Sequence, residues 1–115
     1  MKQKLSMKED EVYLKHMLEA IEGIEGYIGG CSYESFLKDK KTVDAVVREL
    51  EIVGEASNKL SDKFVKNNLV IPLRDIVDMR NVLIHEYFGI NTKIVWNTCK
   101  IDLPSLKKDL KKLLS

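Results

Sequence analysis

The segment Arg80 to Tyr87, with the sequence Arg-Asn-Val-Leu-Ile-His-Glu-Tyr, constrains the fold more than any other part of the chain. It lies in a helix predicted over Asp75 to Phe88, which Pro72 precedes and Gly89 can end in the left-handed conformation that glycine tolerates. At about 100° per residue, one broad face of this helix is apolar. That face comprises Ile76, Met79, Leu83, Ile84 and Tyr87. A helix so largely apolar must sit between neighbouring elements.

Arg80 falls on the apolar side of this helix, where a guanidinium needs a partner. An unpaired buried charge costs several kcal/mol, so Arg80 must meet a carboxylate or reach a cleft. Glu51 and Glu55 on the preceding long helix can neutralise it, or can be ordinary exposed acids. Asn81 and His85 are i,i+4 neighbours on the opposite polar stripe, and His85 is about 140° from Arg80. Cooperation between Arg80 and His85 therefore needs the long arginine side chain, a loosened last helical turn or a second copy of the chain.

The rest of the sequence has helical periodicity, with no strand-like alternation of useful length. Helices are predicted over Glu9 to Ile28, Ser32 to Lys38, Thr42 to about Leu60, Ser61 to Val65, Thr92 to Ile101 and Pro104 to near Leu114. Gly29-Gly30 ends the first helix, and Thr42 is the candidate N-cap of the third. Four main helices joined by short connections predict an all-α, up-and-down four-helix bundle with additional short helices.

The long helix after Thr42 has the clearest core face of the chain. Its predicted buried residues are Val43, Val46, Val47, Leu50, Val53 and Ala56. Gly54 interrupts this helix at a cost of up to about 1 kcal/mol relative to alanine. The sequence therefore predicts that another helix, the one that carries Arg80, approaches closely at Gly54.

The composition favours one domain over residues 1–115. With 115 residues of which 44% are hydrophobic, the chain can bury a core without metal or disulfide bonds. Its charges nearly cancel to a net +1, so any contact with nucleic acid must come from a local patch. The densest basic cluster is Lys107, Lys108, Lys111 and Lys112. Because leucines are interspersed among these lysines at helical spacing, the pattern favours the solvent face of a terminal helix over a nucleic-acid track.

Several other classes of protein are disfavoured by the sequence. Cys31 and Cys99 are too few and too distant for a disulfide framework or a zinc site, and without a signal peptide they predict reduced thiols in the cytoplasm. No apolar run approaches the roughly 18 residues of a membrane span. His16 is predicted at the surface or partly packed. A metal site that pairs His16 with His85 lacks supporting acids or cysteines.

The motif of an arginine followed by asparagine, with histidine five and tyrosine seven positions after the arginine, resembles the signature of the HEPN superfamily, specifically its HepT-like toxins. The resemblance covers nearly the whole chain. It runs through Asp10 to Leu14, Met17 to Ile21, Asp44 to Ala56, Ile71-Pro72, Met79 to Asn81, His85 to Gly89, Val95-Trp96 and Asp102 to Pro104. One departure is Lys66 to Val70, where such proteins more often carry a His-Pro turn.

The resemblance implies a homodimer whose two motif helices line a shared cleft, and a ribonuclease that needs no metal or other cofactor. It also implies a partner, a minimal nucleotidyltransferase that acts as antitoxin by transferring AMP to the motif tyrosine. By the same resemblance Arg80 and His85 are catalytic, Asn81 is a supporting polar group and Tyr87 is the modification site. From the residues alone, Tyr87 would be assigned to the core. The alternative function is a non-catalytic dimeric helical module that binds a nucleotide or docks the nucleotidyltransferase.

The residue types suit metal-free RNA cleavage. An imidazole titrates near neutral pH, so His85 can transfer protons, and Arg80 offers permanent charge and two-point contact to a phosphate. Asn81 is placed to hydrogen-bond His85 and fix its orientation. Since the chain has one well-placed histidine, two-fold symmetry would bring a second His85 and Arg80 to the same cleft. The base and the acid would then come from different protomers.

Overall fold

A computed structural model describes the backbone over residues 2–85 and 91–115, and the side chains over residues 8–83 and 91–115. The helices in these ranges are α1 (Lys2–Ile28), α2 (Tyr33–Lys38), α3 (Lys40–Asn58), α4 (Asp62–Asn67), α5 (Leu73–His85), α6 (Thr92–Asn97) and α7 (Leu103–Leu114). One turn of π-helix, Thr98–Asp102, joins α6 to α7. These ranges contain no β-strand, so the all-α prediction is confirmed.

The core lies between the four longer helices. α3 packs against α1 and α5, and α7 packs against α1. The fully buried side chains include Met17, Ile21, Ile24, Phe36, Val46, Leu50, Val53, Val95 and Leu110. All six residues predicted to form the core face of α3 are buried. The short helices α2, α4 and α6 are additions to a four-helix arrangement, as predicted.

Helix starts depend on side-chain caps, and one predicted cap is wrong. Ser32 and Ser61 cap α2 and α4 as expected, each accepting a hydrogen bond from the backbone N–H three residues later. The N-cap of α3, however, is Asp39 rather than Thr42. The Asp39 carboxylate accepts from the Thr42 hydroxyl at 2.7 Å and from its backbone N–H at 3.2 Å, and these bonds hold the pKa of Asp39 below its usual value. A carboxylate also interacts favourably with the positive end of the helix dipole, so α3 starts earlier than predicted.

The other boundaries differ from the predictions at the ends. α1 begins at Lys2 rather than Glu9, α4 continues to Asn67, and α5 begins at Leu73. The predicted end of α5 at Phe88 and Gly89 lies outside the described residues. Within the described part of the chain, no helix is both long and apolar enough to cross a bilayer.

Cys31 and Cys99 are both free thiols, and their surroundings predict different reactivity. Cys99 is buried, and burial raises the pKa of its thiol from 9.0 to about 12. Because the thiolate is the reactive form, Cys99 is expected to react with Ellman's reagent at pH 8 only after unfolding, whereas half-buried Cys31 reacts in the native protein. A Cys31→Ser variant isolates the Cys99 signal. Rapid labelling of that variant without denaturant would contradict the prediction.

Burial of the Cys99 thiol also makes the stability of the fold depend on pH. Its folded pKa lies above its unfolded value, so the neutral thiol is favoured in the folded chain. The contribution to stability is therefore complete below about pH 9 and is lost progressively as the pH rises toward 12.

Candidate active site around Arg80

α3 and α5 cross at Gly54, and the stem of Arg80 occupies the space that a side chain at Gly54 would need. A Cβ atom at Gly54 would overlap Cβ and Cγ of Arg80 and would lie 3.4 Å from the carbonyl oxygen of Ile76. Gly54 is itself buried. The absence of a side chain at this position therefore sets the distance between the helices. The predicted close approach of the motif helix to Gly54 is confirmed.

The guanidinium of Arg80 is held between a carboxylate of α3 and the next residue of α5. Nη2 lies 3.7 Å from Oε1 of Glu55, and Nη1 donates to Oδ1 of Asn81 at 2.9 Å. The side chain of Arg80 is 28% exposed and that of Glu55 is 41% exposed. An ion pair that is exposed to solvent to this extent stabilises the fold by at most about 1 kcal/mol. Glu55 therefore orients Arg80 without holding it so tightly that a phosphate could not compete.

The Nε–H group of Arg80 is buried, and it has no hydrogen-bond acceptor among the described residues. Leaving a buried donor without an acceptor costs about 1–3 kcal/mol. The described residues thus hold Arg80 through its terminal nitrogens and offer no acceptor to Nε–H. Because Nε is buried while the side chain as a whole is partly exposed, a ligand would meet the terminal nitrogens. These can make the two-point contact that phosphate oxygens accept.

The backbone of α5 determines the angle between Arg80 and His85 around the helix axis. α5 remains helical through His85, so its turns are not loosened up to that residue and the separation of about 140° persists. The Arg80 side chain spans part of this angle, because its guanidinium reaches Asn81 on the polar stripe. The side chain of His85 and all of Tyr87 lie outside the described residues. The predicted bond between Asn81 and His85 stays a prediction, whereas the observed partner of Asn81 is Arg80.

The remaining sequence candidates do not join this site. Glu51 pairs with Arg48 on its own helix at 3.6 Å, so Glu55 is the acid that meets Arg80. His16 is exposed on α1, as predicted, with its ring edge-on to Tyr13 at 6.3 Å between centroids. Within the described side chains, no group of three or more histidines, cysteines and acids is arranged to hold a metal ion.

The C-terminal lysines lie along α7 as predicted, mostly facing solvent. Lys107 is the exception, because its Nζ donates to Oε1 of Glu25 on α1 at 2.7 Å. This hydrogen bond raises the pKa of Lys107. Lys107 therefore links α7 to α1. The solvent-exposed face of α7 carries Lys108, Lys111 and Lys112.

An apolar cleft of about 400 Å³ between the first half of α5 and the π-helical turn was not foreseen from the sequence. Its apolar walls include Ile76, Met79, Ile94, Ile101 and Leu106. Asp75, Asp102 and Asp109 also line it, and none of the lining residues is basic. Three carboxylates repel phosphate, so this cleft does not suit RNA. A π-helical turn leaves no pattern in a helical sequence, which is why the cleft could not be predicted.

Comparison of the sequence with known proteins identifies the family of this chain. The family model described as Ribonuclease HepT-like matches residues 17–113, which include the whole motif from Arg80 to Tyr87. The chain belongs to the HepT-like ribonuclease family. The resemblance of the sequence to the HepT-like family is thereby confirmed.

Individual HepT-like relatives match over almost their full lengths. A protein of Thermococcus cleftensis named "Probable ribonuclease HepT" is 46% identical over 101 residues, which cover 88% of this chain and 92% of the relative. A candidate RNase of Caldanaerobacter subterraneus is 41% identical over 108 residues, covering 94% and 96%. A candidate RNase of Methanocaldococcus jannaschii is 34% identical over 107 residues, covering 93% and 88%. No solved structure matches the chain significantly.

Proposed function

We propose that this HepT-like protein is the toxin of a toxin-antitoxin pair and cleaves RNA without a metal ion. The observation that supports this most is the state of Arg80, a partly exposed guanidinium that Glu55 and Asn81 hold in place while its terminal nitrogens can still meet a ligand. Such a group can take up a phosphate. The ribonuclease names of the relatives suggest RNA as the source of that phosphate.

In the proposed reaction, a 2′-hydroxyl of the RNA attacks the adjacent phosphorus and the bond to the 5′-oxygen breaks. His85 of one protomer accepts the 2′-proton, and His85 of the second protomer donates a proton to the departing 5′-oxygen. Arg80 stabilises the negative charge that develops on the phosphate oxygens. Asn81 keeps the guanidinium directed toward the polar stripe of α5. The homodimer is part of the proposal, because one chain supplies a single histidine to this reaction.

The test is cleavage of mixed cellular RNA by the purified protein in excess EDTA, with a His85→Ala variant prepared in parallel. The wild-type protein is expected to cleave in EDTA and the variant to be inactive, which excludes a contaminating nuclease. Mixed dimers of wild-type and His85→Ala chains address the shared cleft. Full activity in every mixed dimer would contradict the division of base and acid between protomers. Absence of cleavage by the wild-type protein would favour the non-catalytic binding module instead.

Tyr87 is the proposed site of control, through AMP transferred by a minimal nucleotidyltransferase. An AMP group on this tyrosine, seven residues after Arg80, would offer its phosphate to the guanidinium and block RNA by charge and by bulk. After incubation with ATP and a minimal nucleotidyltransferase of the proposed antitoxin type, the chain is expected to gain AMP-sized mass on the peptide that contains Tyr87. Cleavage should be lost together with this gain. Tyr87→Phe is the matched control and should remain unmodified.

Removal of the AMP provides the complementary measurement. A phosphodiesterase that restores the original mass is expected to restore RNA cleavage as well. If the mass returns to that of the unmodified chain and cleavage does not recover, AMP transfer to Tyr87 is not the control mechanism.

A further inference from the structure

Two aromatic rings and two lysines meet on the surface where α2 lies against α6. The ring centroids of Tyr33 and Trp96 are 5.9 Å apart with their planes inclined by 56°, and Trp96 lies 5.1 Å from Phe36. Phe36 is fully buried, whereas Tyr33 and Trp96 are each partly exposed. The core thus fixes both rings while part of each remains accessible. With Lys93 and Lys100, these two rings are called the aromatic platform below.

Each ring of the aromatic platform carries a lysine. Nζ of Lys93 lies 4.9 Å from the centroid of Tyr33, and Nζ of Lys100 lies 4.9 Å from the centroid of Trp96. Both lysines are exposed. Significant cation–π contacts occur about once per 70–80 residues, so two on adjoining rings are a local concentration. Flat rings beside positive charge are the combination that binds single-stranded nucleic acid.

A nucleobase can replace each ammonium group on its ring. Stacking of a base on an aromatic side chain is about two- to threefold stronger in free energy than an exposed cation–π contact. The displaced lysine remains next to the base and can contact the adjoining phosphate. We propose that the aromatic platform binds single-stranded RNA, with bases on Tyr33 and Trp96 and phosphates on Lys93 and Lys100. This inference rests on the proposed ribonuclease function, because it assigns a binding surface to the substrate of that reaction.

The aromatic platform lies close to the motif along the chain. Residues 86–91 join the end of α5 at His85 to the start of α6 at Thr92. Seven steps of at most about 3.6 Å limit this separation to about 25 Å. Lys93 and Trp96 follow within the next helical turns. The start of α6, which carries two members of the platform, is therefore within this distance of the end of the motif helix.

The aromatic platform also meets the requirement for a local patch that the net charge of +1 imposes. The C-terminal lysines are a weaker candidate, since no aromatic residue lies between Leu103 and Ser115 and Lys107 is engaged by Glu25. The apolar cleft is lined by acids. Of these three surfaces, the aromatic platform alone joins exposed charge to rings on which bases can stack.

The single tryptophan of the chain is Trp96, so its fluorescence reports on the aromatic platform directly. The probe is a 2′-O-methylated oligouridylate of about twelve nucleotides, within the range of single-strand site sizes. Its blocked 2′-oxygen cannot attack the phosphate, so binding is measured without cleavage. Titration is expected to quench Trp96 as a uracil stacks on it. Binding that leaves the fluorescence unchanged would overturn the proposal.

Charge reversal tests the lysines against a matched control. Lys93→Glu with Lys100→Glu is expected to weaken binding by at least about tenfold and to lower the slope of log affinity against log salt by about 1–2. Lys111→Glu with Lys112→Glu makes the same charge change at two exposed positions of α7 and is expected to alter affinity by less than about threefold. All four positions are exposed, so the variants should fold. Equal weakening by both pairs would mean general attraction and would overturn the proposal.

The two proposals can fail separately in these measurements. Quenching of Trp96 by the oligouridylate in a wild-type protein that cleaves no RNA would support the aromatic platform and contradict the nuclease. Cleavage that is unaffected by Lys93→Glu with Lys100→Glu, without quenching of Trp96, would support the nuclease and contradict the platform. If the surface binds a protein instead of RNA, neither quenching nor a salt-dependent affinity for the oligouridylate will be seen.

Discussion

Replacing Arg80 with alanine is expected to lower the rate of RNA cleavage by about 10²- to 10³-fold while leaving the protein folded. The loss follows from the proposed role of the guanidinium on the scissile phosphate. The substitution should change the free energy of unfolding only slightly, because the interactions that it removes and the unfavourable burial that it relieves are similar in size. The variant loses the contacts of the side-chain stem and a half-exposed ion pair with Glu55, but it also removes the buried Nε–H that has no acceptor among the described residues.

Two further variants separate charge from geometry at Arg80. Arg80→Lys keeps a positive charge but loses the planar, two-point donor, so its single-turnover rate should lie between those of the wild-type protein and Arg80→Ala. Glu55→Gln removes the opposing charge and should leave cleavage within about tenfold of the wild-type rate, because a half-exposed pair contributes at most about 1 kcal/mol. Thermal unfolding checks that each variant is folded. A folded Arg80→Ala protein that cleaves within about threefold of the wild-type rate would exclude Arg80 from the reaction.

The fold was largely predictable because helical periodicity is a local property. The burial of one face of α3, the caps Ser32 and Ser61 and the close approach at Gly54 all follow from short stretches of sequence. The cap of α3 was missed because Asp39 and Thr42 are both good N-cap residues. In the folded chain they act together, since the Thr42 hydroxyl donates to the Asp39 carboxylate.

The partner of Arg80 could be narrowed to two acids but not to one. Glu51 and Glu55 are four residues apart and share a face of α3, so periodicity treats them alike. The choice depends on where α5 crosses, and it crosses at Gly54, directly beside Glu55. Arg48, one turn before Glu51, engages the other acid. The identity of the partner is thus a property of the packed helices rather than of either sequence segment.

The aromatic platform could not be predicted from the sequence for the same reason, because it depends on the packing of segments that are far apart in the chain. Tyr33 and Trp96 come from α2 and α6, more than sixty positions apart, and no sequence pattern indicates that these short helices meet. The sequence directed attention to the C-terminal lysines because four of them lie within six residues. Lys93, Trp96 and Lys100 are spaced to share one helical face, but only the folded chain brings Tyr33 to that face.

Gly54→Ala is expected to destabilise the protein, although alanine is the better helix former. A Cβ atom at Gly54 would overlap the Cβ and Cγ atoms of Arg80, which belong to the part of the side chain nearest the backbone. α5 would then have to move, and overpacking of this kind costs typically about 1–3 kcal/mol. The gain in helix propensity returns about 1 kcal/mol. Urea denaturation should therefore show a net loss of up to about 2 kcal/mol, and Gly54→Val a larger one.

The matched control for this prediction is Gly26→Ala in α1. Gly26 is exposed, and a Cβ atom there would meet nothing within 4 Å, so the same substitution should stabilise the protein by up to about 1 kcal/mol. The two glycine variants are expected to have effects of opposite sign. Because movement of α5 also displaces Arg80 from Glu55, Gly54→Ala should lower RNA cleavage as well, whereas Gly26→Ala should not. If Gly54→Ala stabilises the protein as Gly26→Ala does, α5 does not cross α3 at the close distance that positions Arg80.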